Sequence, residues 1–196
     1  MNYAMRQLDR PQHTVEQVRQ WVGNGMDRLL HRALTNSVED DADADLHAVA
    51  KRHFSTWYGQ HFADQSRLYA GVVDTLDTLQ NRGVKLGCVT NKPIGFTLPL
   101  LKQLGIHHYF SAVVGGDSTP AVKPDPLPIL HCCELLDLSP EQCLMVGDSI
   151  NDFLAGSRAG AATIMVDYGY NQGIDLSTLD CSSVISHLSE LHSIGK

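Results

Sequence analysis

Four short apolar runs constrain the fold of this chain more than any other feature. VKLGCV (84–89), SAVVGG (111–116), CLMVG (143–147) and TIMV (163–166) are separated by stretches with helical patterning. Strands that are apolar on both faces are covered on both, and strands joined through helices run parallel. The intervening helices are expected at VVDTLDTLQNR (72–82), around 97–104, at PLPILHCCELL (126–136) and at 150–159, with a last one near 183–192. Pro99 is expected in the first turn of its helix, where a missing N–H costs nothing. This part of the chain therefore reads as an α/β unit, a parallel sheet covered by helices. Ligands of such sheets bind at the carboxyl ends of the strands.

The first third of the chain has no such runs. TVEQVRQWVGNGMDRLLHRAL (14–34) spaces Val15, Val18, Val22, Met26, Leu29 and Leu30 as helices do, with a break at Gly23–Gly25. DLHAVAKRHFSTWYGQHF (45–62) is a further amphipathic helix, and SVEDDADAD before it is a charged loop. The expected organisation is a small helical unit over residues 1–68 and an α/β core over 69–196, with Tyr69-Ala70-Gly71 as a hinge.

Charge narrows the partners. The net charge is -7 and no cluster of Lys or Arg offsets it, which argues against a nucleic-acid surface but not against a small anionic substrate. The five cysteines are odd in number and show no Cys-x-x-Cys, so they read as reduced packing residues. No apolar stretch approaches the roughly 18 residues of a membrane span, and a cytoplasmic protein without a membrane partner is expected. Nothing in the sequence specifies an oligomeric state.

Three loops at strand ends carry candidate chemistry. Val89-Thr90-Asn91-Lys92-Pro93 offers a hydroxyl and turn N–H groups, suited either to cradle an anion or to cap a helix. In STPAVKPDP (118–126), Lys123 stands in a proline-stiffened loop, whereas a lone loop lysine is ordinarily a solvated surface residue. In GDSIND, Gly147 lets a strand turn sharply, Asp148 ends it, and Asp152 follows four residues on. One carboxylate there suits the helix dipole; two facing one crevice suit a hard cation with oxygen ligands, Mg2+ above all. Together, an anion cradle, an aimed lysine and a carboxylate pair describe a phosphate-ester site with a metal.

With these motifs the chain resembles the haloacid dehalogenase superfamily of phosphohydrolases, in its branch with a helical cap. Thr90 matches that family's second motif, Lys123 its third, and Gly-Asp148-x-x-x-Asp152 its fourth. WVGNG (21–25), VTNKP, GGD…KPDP, GDSINDFLAGSRAG and YGYN (168–171) are similar to the bacterial phosphoglycolate phosphatase group. The resemblance implies Mg2+-dependent hydrolysis of 2-phosphoglycolate through an aspartyl-phosphate. Asp148 would hold the metal, and Asp152 would support its waters or orient Lys123. Thr90 and the Asn91 backbone would bind phosphoryl oxygens, and Lys123 would neutralise charge. Arg19 or the Gly23–Gly25 turn would meet the substrate's carboxylate. A sugar-phosphate phosphatase of the same superfamily, and a fragment that binds phosphate or a partner without turnover, stay open as alternatives.

One part of the family pattern is not in the sequence. Its first motif, Asp-x-Asp-Gly-Thr after an apolar strand, supplies the nucleophile. Here Asp41-Ala42-Asp43 has no strand before it and no Gly-Thr after it, and Asp9 lacks a strand as well. The resemblance implies that the corresponding strand lies centrally, between those at 84–89 and 143–147. Without it the chain is expected to be inactive, whether through a misplaced start or decay of its gene. It is also expected to fold poorly or to fold differently; if the two strands closed up, Asp148 and Thr90 would shift relative to each other.

Overall fold

The computed structural model describes residues 1–170 and 173–193. Asn171, the last residue of the YGYN stretch, lies outside the described residues. The chain forms two compact units that divide between Ser66 and Arg67.

In the first unit four helices follow one another: α1 (Asn2–Gln7), α2 (Val15–Trp21), α3 (Gly25–Thr35) and α4 (Ala44–His61). Thr14 and Gln17 form a capping box at the start of α2, and Asp43 caps α4 by accepting from the N–H groups of Asp45 and Leu46. The Asp41-Ala42-Asp43 run is thus a helix start. Met5, Leu30 and Ala50 are fully buried in the core of this unit, with Trp21 and Phe54 against them.

The second unit contains α5 (Val72–Asn81), β1 (Gly87–Val89), α6 (Ile94–Gln103), β2 (Ala112–Val114) and α7 (Leu127–Leu136). It continues with β3 (Leu144–Gly147), α8 (Ile150–Ala159), β4 (Ala162–Val166) and β5 (Ser183–Ile185). Every strand pair is parallel, as expected. The strands do not form one sheet, however. β1 pairs with β2, Gly87 opposite Ala112, and β3, β4 and β5 form a separate sheet in that order, with Gly147 opposite Met165. β1 and β3 do not close up on each other: among the described residues no strand ladder connects them. Gly87 of β1 and Leu144 of β3 are exposed. Side-chain packing holds the sheets in place instead: Ile129 and Cys133 of α7 and Ala155 of α8 are buried together, with Val89 of β1 and Met145 of β3 packed against them.

Three local expectations are corrected. Pro99 lies well inside α6, not in its first turn. The helix starts earlier because the Asp117 carboxylate takes the Ile94 N–H at 2.7 Å, and the Thr97 hydroxyl donates to the Pro93 carbonyl. Pro99 therefore leaves the Gly95 carbonyl without its helical donor. The strand expected from residue 84 begins at Gly87, because the Val84 N–H is spent on Leu79 O at the end of α5. The helix expected at 183–192 is a strand followed by a 3-10 turn, Leu188–Ser193. The second edge of β4 offers a ladder to Ser-Val-Ile, a run with strand propensity, and the six residues that follow are too few for a stable helix.

β4 is the middle strand of its sheet, and Met165 on it is fully buried. Met165→Ala is expected to lower unfolding free energy by about 2–5 kcal/mol, whereas Val15→Ala, at an exposed position, shifts it by no more than about 0.5 kcal/mol. Urea unfolding of both variants checks this.

Candidate active site

Lys123 is the centre of the site. It is 7% exposed, so it is not the solvated loop lysine that its sequence position alone suggests. Its ammonium donates to Asp152 Oδ1 at 2.6 Å and to Val89 O at 2.7 Å. One side chain thereby joins the loop after β2, the end of β1 and the first turn of α8. The backbone of Lys123 is held as well. The Asn91 side-chain amide donates to its carbonyl at 2.8 Å, and Lys123 N–H donates to Asn91 Oδ1 at 2.9 Å. This two-point clasp gives Asn91 a structural use of its side chain that the sequence did not suggest.

Thr90 continues the ladder of β1 by donating its N–H to Val114 O at 3.0 Å. Its hydroxyl oxygen accepts the Lys92 N–H at 3.2 Å, a turn that Ser and Thr side chains stabilise. Gly116 N–H donates to Lys92 O at 2.8 Å, which binds the loop after β2 to the loop after β1.

The two carboxylates differ in their surroundings. Asp152 is buried and both of its oxygens are taken: Oδ1 by Lys123, Oδ2 by the N–H groups of Asp148 and Ser149 and by the Ser149 hydroxyl at 2.8 Å. Ser149 and Asp152 form the capping box of α8. Gly147 is required beside them, since a side chain there would place its Cβ 2.2 Å from Asp152 Cβ. Burial pushes the Asp152 carboxyl up, but the Lys123 ammonium and the hydrogen bonds from Lys123 and Ser149 outweigh it, and the net shift is downward. Asp148 Oδ2 accepts the Tyr170 N–H at 2.7 Å. Its carboxyl is held above the usual range, first by burial and further by the neighbouring Asp152, against the pull of the Tyr170 N–H.

The structure brings Asn91, Lys123, Asp152 and Asp148 into one chain of contacts, with Thr90 beside Asn91. Arg19 is exposed and lies 3.9 Å from Glu16 within the first unit. Two contributors were not among the candidates. Ser149 was legible, since Ser-x-x-Asp before an apolar run is a capping signature. Tyr170 lies in the YGYN stretch, but the use of its N–H had no signal, because it is a backbone group arriving from a distant loop.

The residues present suit a cation. Of the two neighbouring carboxylates only Asp152 is paired with Lys123, and no cation among the described residues lies within ion-pair distance of Asp148. No group of three or more His, Cys, Asp or Glu able to hold a metal occurs among the described residues. Mg2+ needs only one or two carboxylates, since waters and substrate oxygens complete its shell. Of the two, Asp148 is the carboxylate that is not paired with a cation among the described residues.

The sequence model of the haloacid dehalogenase-like hydrolase family matches residues 1–166. A phosphoglycolate phosphatase of Thiobacillus denitrificans is 40% identical over 186 residues, spanning 95% of this chain and 82% of its own. One of Nitrosococcus oceani is 41% identical over 190 residues, spanning 97% and 84%. The crystal structure of a predicted phosphoglycolate phosphatase from Haemophilus somnus superposes with a TM-score of 0.90 at 36% identity, over 100% of this chain and 88% of that one. No helix among the described residues is long and apolar enough to cross a membrane.

The raised carboxyl of Asp148 sets the sign of a pH effect. Asp148 favours the fold below the unfolded carboxylate value of about 3.9, and that contribution is lost as pH rises through its raised folded value. Asp148→Asn, measured in the absence of divalent ions, is therefore expected to raise the melting temperature at pH 7 and to lose that gain as pH falls below about 4. A lower melting temperature at pH 7 contradicts this.

Proposed function

The chain belongs to the haloacid dehalogenase-like hydrolase family, and from that membership we propose that its site serves Mg2+-dependent hydrolysis of a small phosphate monoester, 2-phosphoglycolate. The observation that carries the reading is the buried ammonium of Lys123, fixed at the meeting point of three strand-end loops. The named activity of the relatives supports the substrate.

Each residue has a task in this reading. The ammonium of Lys123 has three protons, two of them given to Val89 O and Asp152. The third meets a phosphoryl oxygen. The Thr90 hydroxyl accepts from Lys92 and donates its own proton to the phosphate, and the Asn91 backbone N–H meets a further oxygen. Asp148 holds the cation, which when bound neutralises phosphate charge and orients the ester. Asp152 keeps Lys123 in place. Residues 1–68 serve as the cap that excludes bulk water during turnover.

An aspartyl-phosphate needs a carboxylate nucleophile at a strand end, and residues 1–196 contain no Asp-x-Asp-Gly-Thr. In this reading the described residues form the part of the site that holds phosphate and metal. The 196-residue chain is expected to bind 2-phosphoglycolate in calorimetry only with Mg2+, to lose that binding in Lys123→Met, and to release no phosphate. Mg2+-dependent phosphate release by this chain alone overturns the statement about the nucleophile. Tighter binding of hexose phosphates overturns the substrate.

A further inference from the structure

β4 runs out into residues 167–170, and this segment turns back against Asp148. Its root is fixed to β5, since Asp167 N–H donates to Ile185 O at 3.1 Å and the Ser186 hydroxyl donates to Asp167 Oδ2 at 2.5 Å. Tyr168 packs against Tyr69, ring centroids 4.9 Å apart. From this anchored base, Gly169 and Tyr170 meet the carboxylate itself. A Cβ at Gly169 would lie 2.2 Å from both Cβ and Oδ2 of Asp148 and 2.6 Å from its Cγ. The atoms it would meet include the base of the side chain next to the backbone, so a swing of the carboxylate alone cannot clear them. The φ of Gly169 lies outside the left-handed region, so glycine is needed there for space and not for torsion. The neighbouring Tyr170 N–H then takes Oδ2 at 2.7 Å.

The two site carboxylates are thus each seated on a missing side chain: Asp152 on Gly147 and Asp148 on Gly169. Asp152 is further locked by four donors, whereas Asp148 is held from the far side by this one loop. We infer that Gly169 and the Tyr170 N–H are positioning groups for Asp148, forming a wall that sets the direction in which its carboxylate faces a divalent cation. The inference rests on Asp148 as the metal ligand. A loop 22 residues downstream would then tune cation affinity without touching the cation, as the outer partners of metal ligands do elsewhere.

The test uses the whole chain and Mn2+ as the probe, with bound and free ion separated by electron paramagnetic resonance. The position of the Tyr170 amide proton in nitrogen-15 correlated spectra reports its bond to the carboxylate. The unaltered protein is expected to bind Mn2+ and to show the Tyr170 proton far downfield. Gly169→Ala is expected to weaken Mn2+ about 10-fold or more and to move that proton upfield. Gly95→Ala, where an added Cβ meets nothing within 4 Å, is expected to leave both unchanged. Unaltered Mn2+ affinity in a folded Gly169→Ala overturns the positioning role while leaving the metal reading intact. No Mn2+ binding by the unaltered protein overturns the metal reading and this inference with it. Should Gly169→Ala fail to fold, Tyr170→Pro deletes the donor without adding an atom at 169, and an unchanged affinity in that variant is the overturning result.

Discussion

The structure around the site depends on one buried ion pair, Lys123 with Asp152. Removing two charges from water costs several kcal/mol per ion, and attraction alone repays this only when the geometry is good and the remaining donors and acceptors are satisfied. Here they are satisfied. Asp152 gives one oxygen to the ammonium and the other to two backbone N–H groups and a hydroxyl, while Lys123 gives a second proton to Val89 O. Those partners come from the ends of β1 and β3, which no strand ladder connects among the described residues. The pair is therefore a cross-link as well as a charge contact. The Asn91 clasp strengthens it by fixing the backbone from which the lysine extends.

The same arrangement separates the two carboxylates in role. Asp152 is committed on both oxygens and held ionised by its neighbours, which makes it a good anchor and a poor ligand for anything else. Asp148 is half-buried, pushed toward protonation, and paired with no cation among the described residues. An unpaired, partly desolvated carboxylate is costly for stability and useful for function, because a divalent ion relieves the cost on binding. The difference arises from position: Asp152 is the third residue of α8 and closes a capping box, whereas Asp148 follows directly after β3 and is met by the Tyr170 N–H.

Much of this was legible in the sequence because the informative residues sit in the loops that connect apolar runs to helices. Thr90, Asn91, Lys123, Asp148 and Asp152 are each within a few residues of a strand or helix boundary, and the parallel pairing followed from strands alternating with helices. What was not legible came through contacts between residues distant in sequence. The start of α6 depends on Asp117, and β5 exists because β4 has an open edge, so neither Pro99 nor residues 183–185 could be placed from local pattern alone. The seat of Asp148 is made by an absent side chain and a backbone N–H, which carry no chemical signature of their own. The division into two sheets depended on which strands are present, a matter of topology and not of any one residue.

The central claim is that Lys123 and Asp152 act as one unit, and a double-mutant cycle tests it most directly. Unfolding free energies would be measured in urea at pH 7 for the unaltered chain, Lys123→Met, Asp152→Asn and the double variant. Each single change is predicted to cost about 3–5 kcal/mol by stranding its partner, and the double variant to cost no more than the worse single one. Losses that add to within about 0.5 kcal/mol would show that the two residues stabilise the fold independently, and would contradict the account.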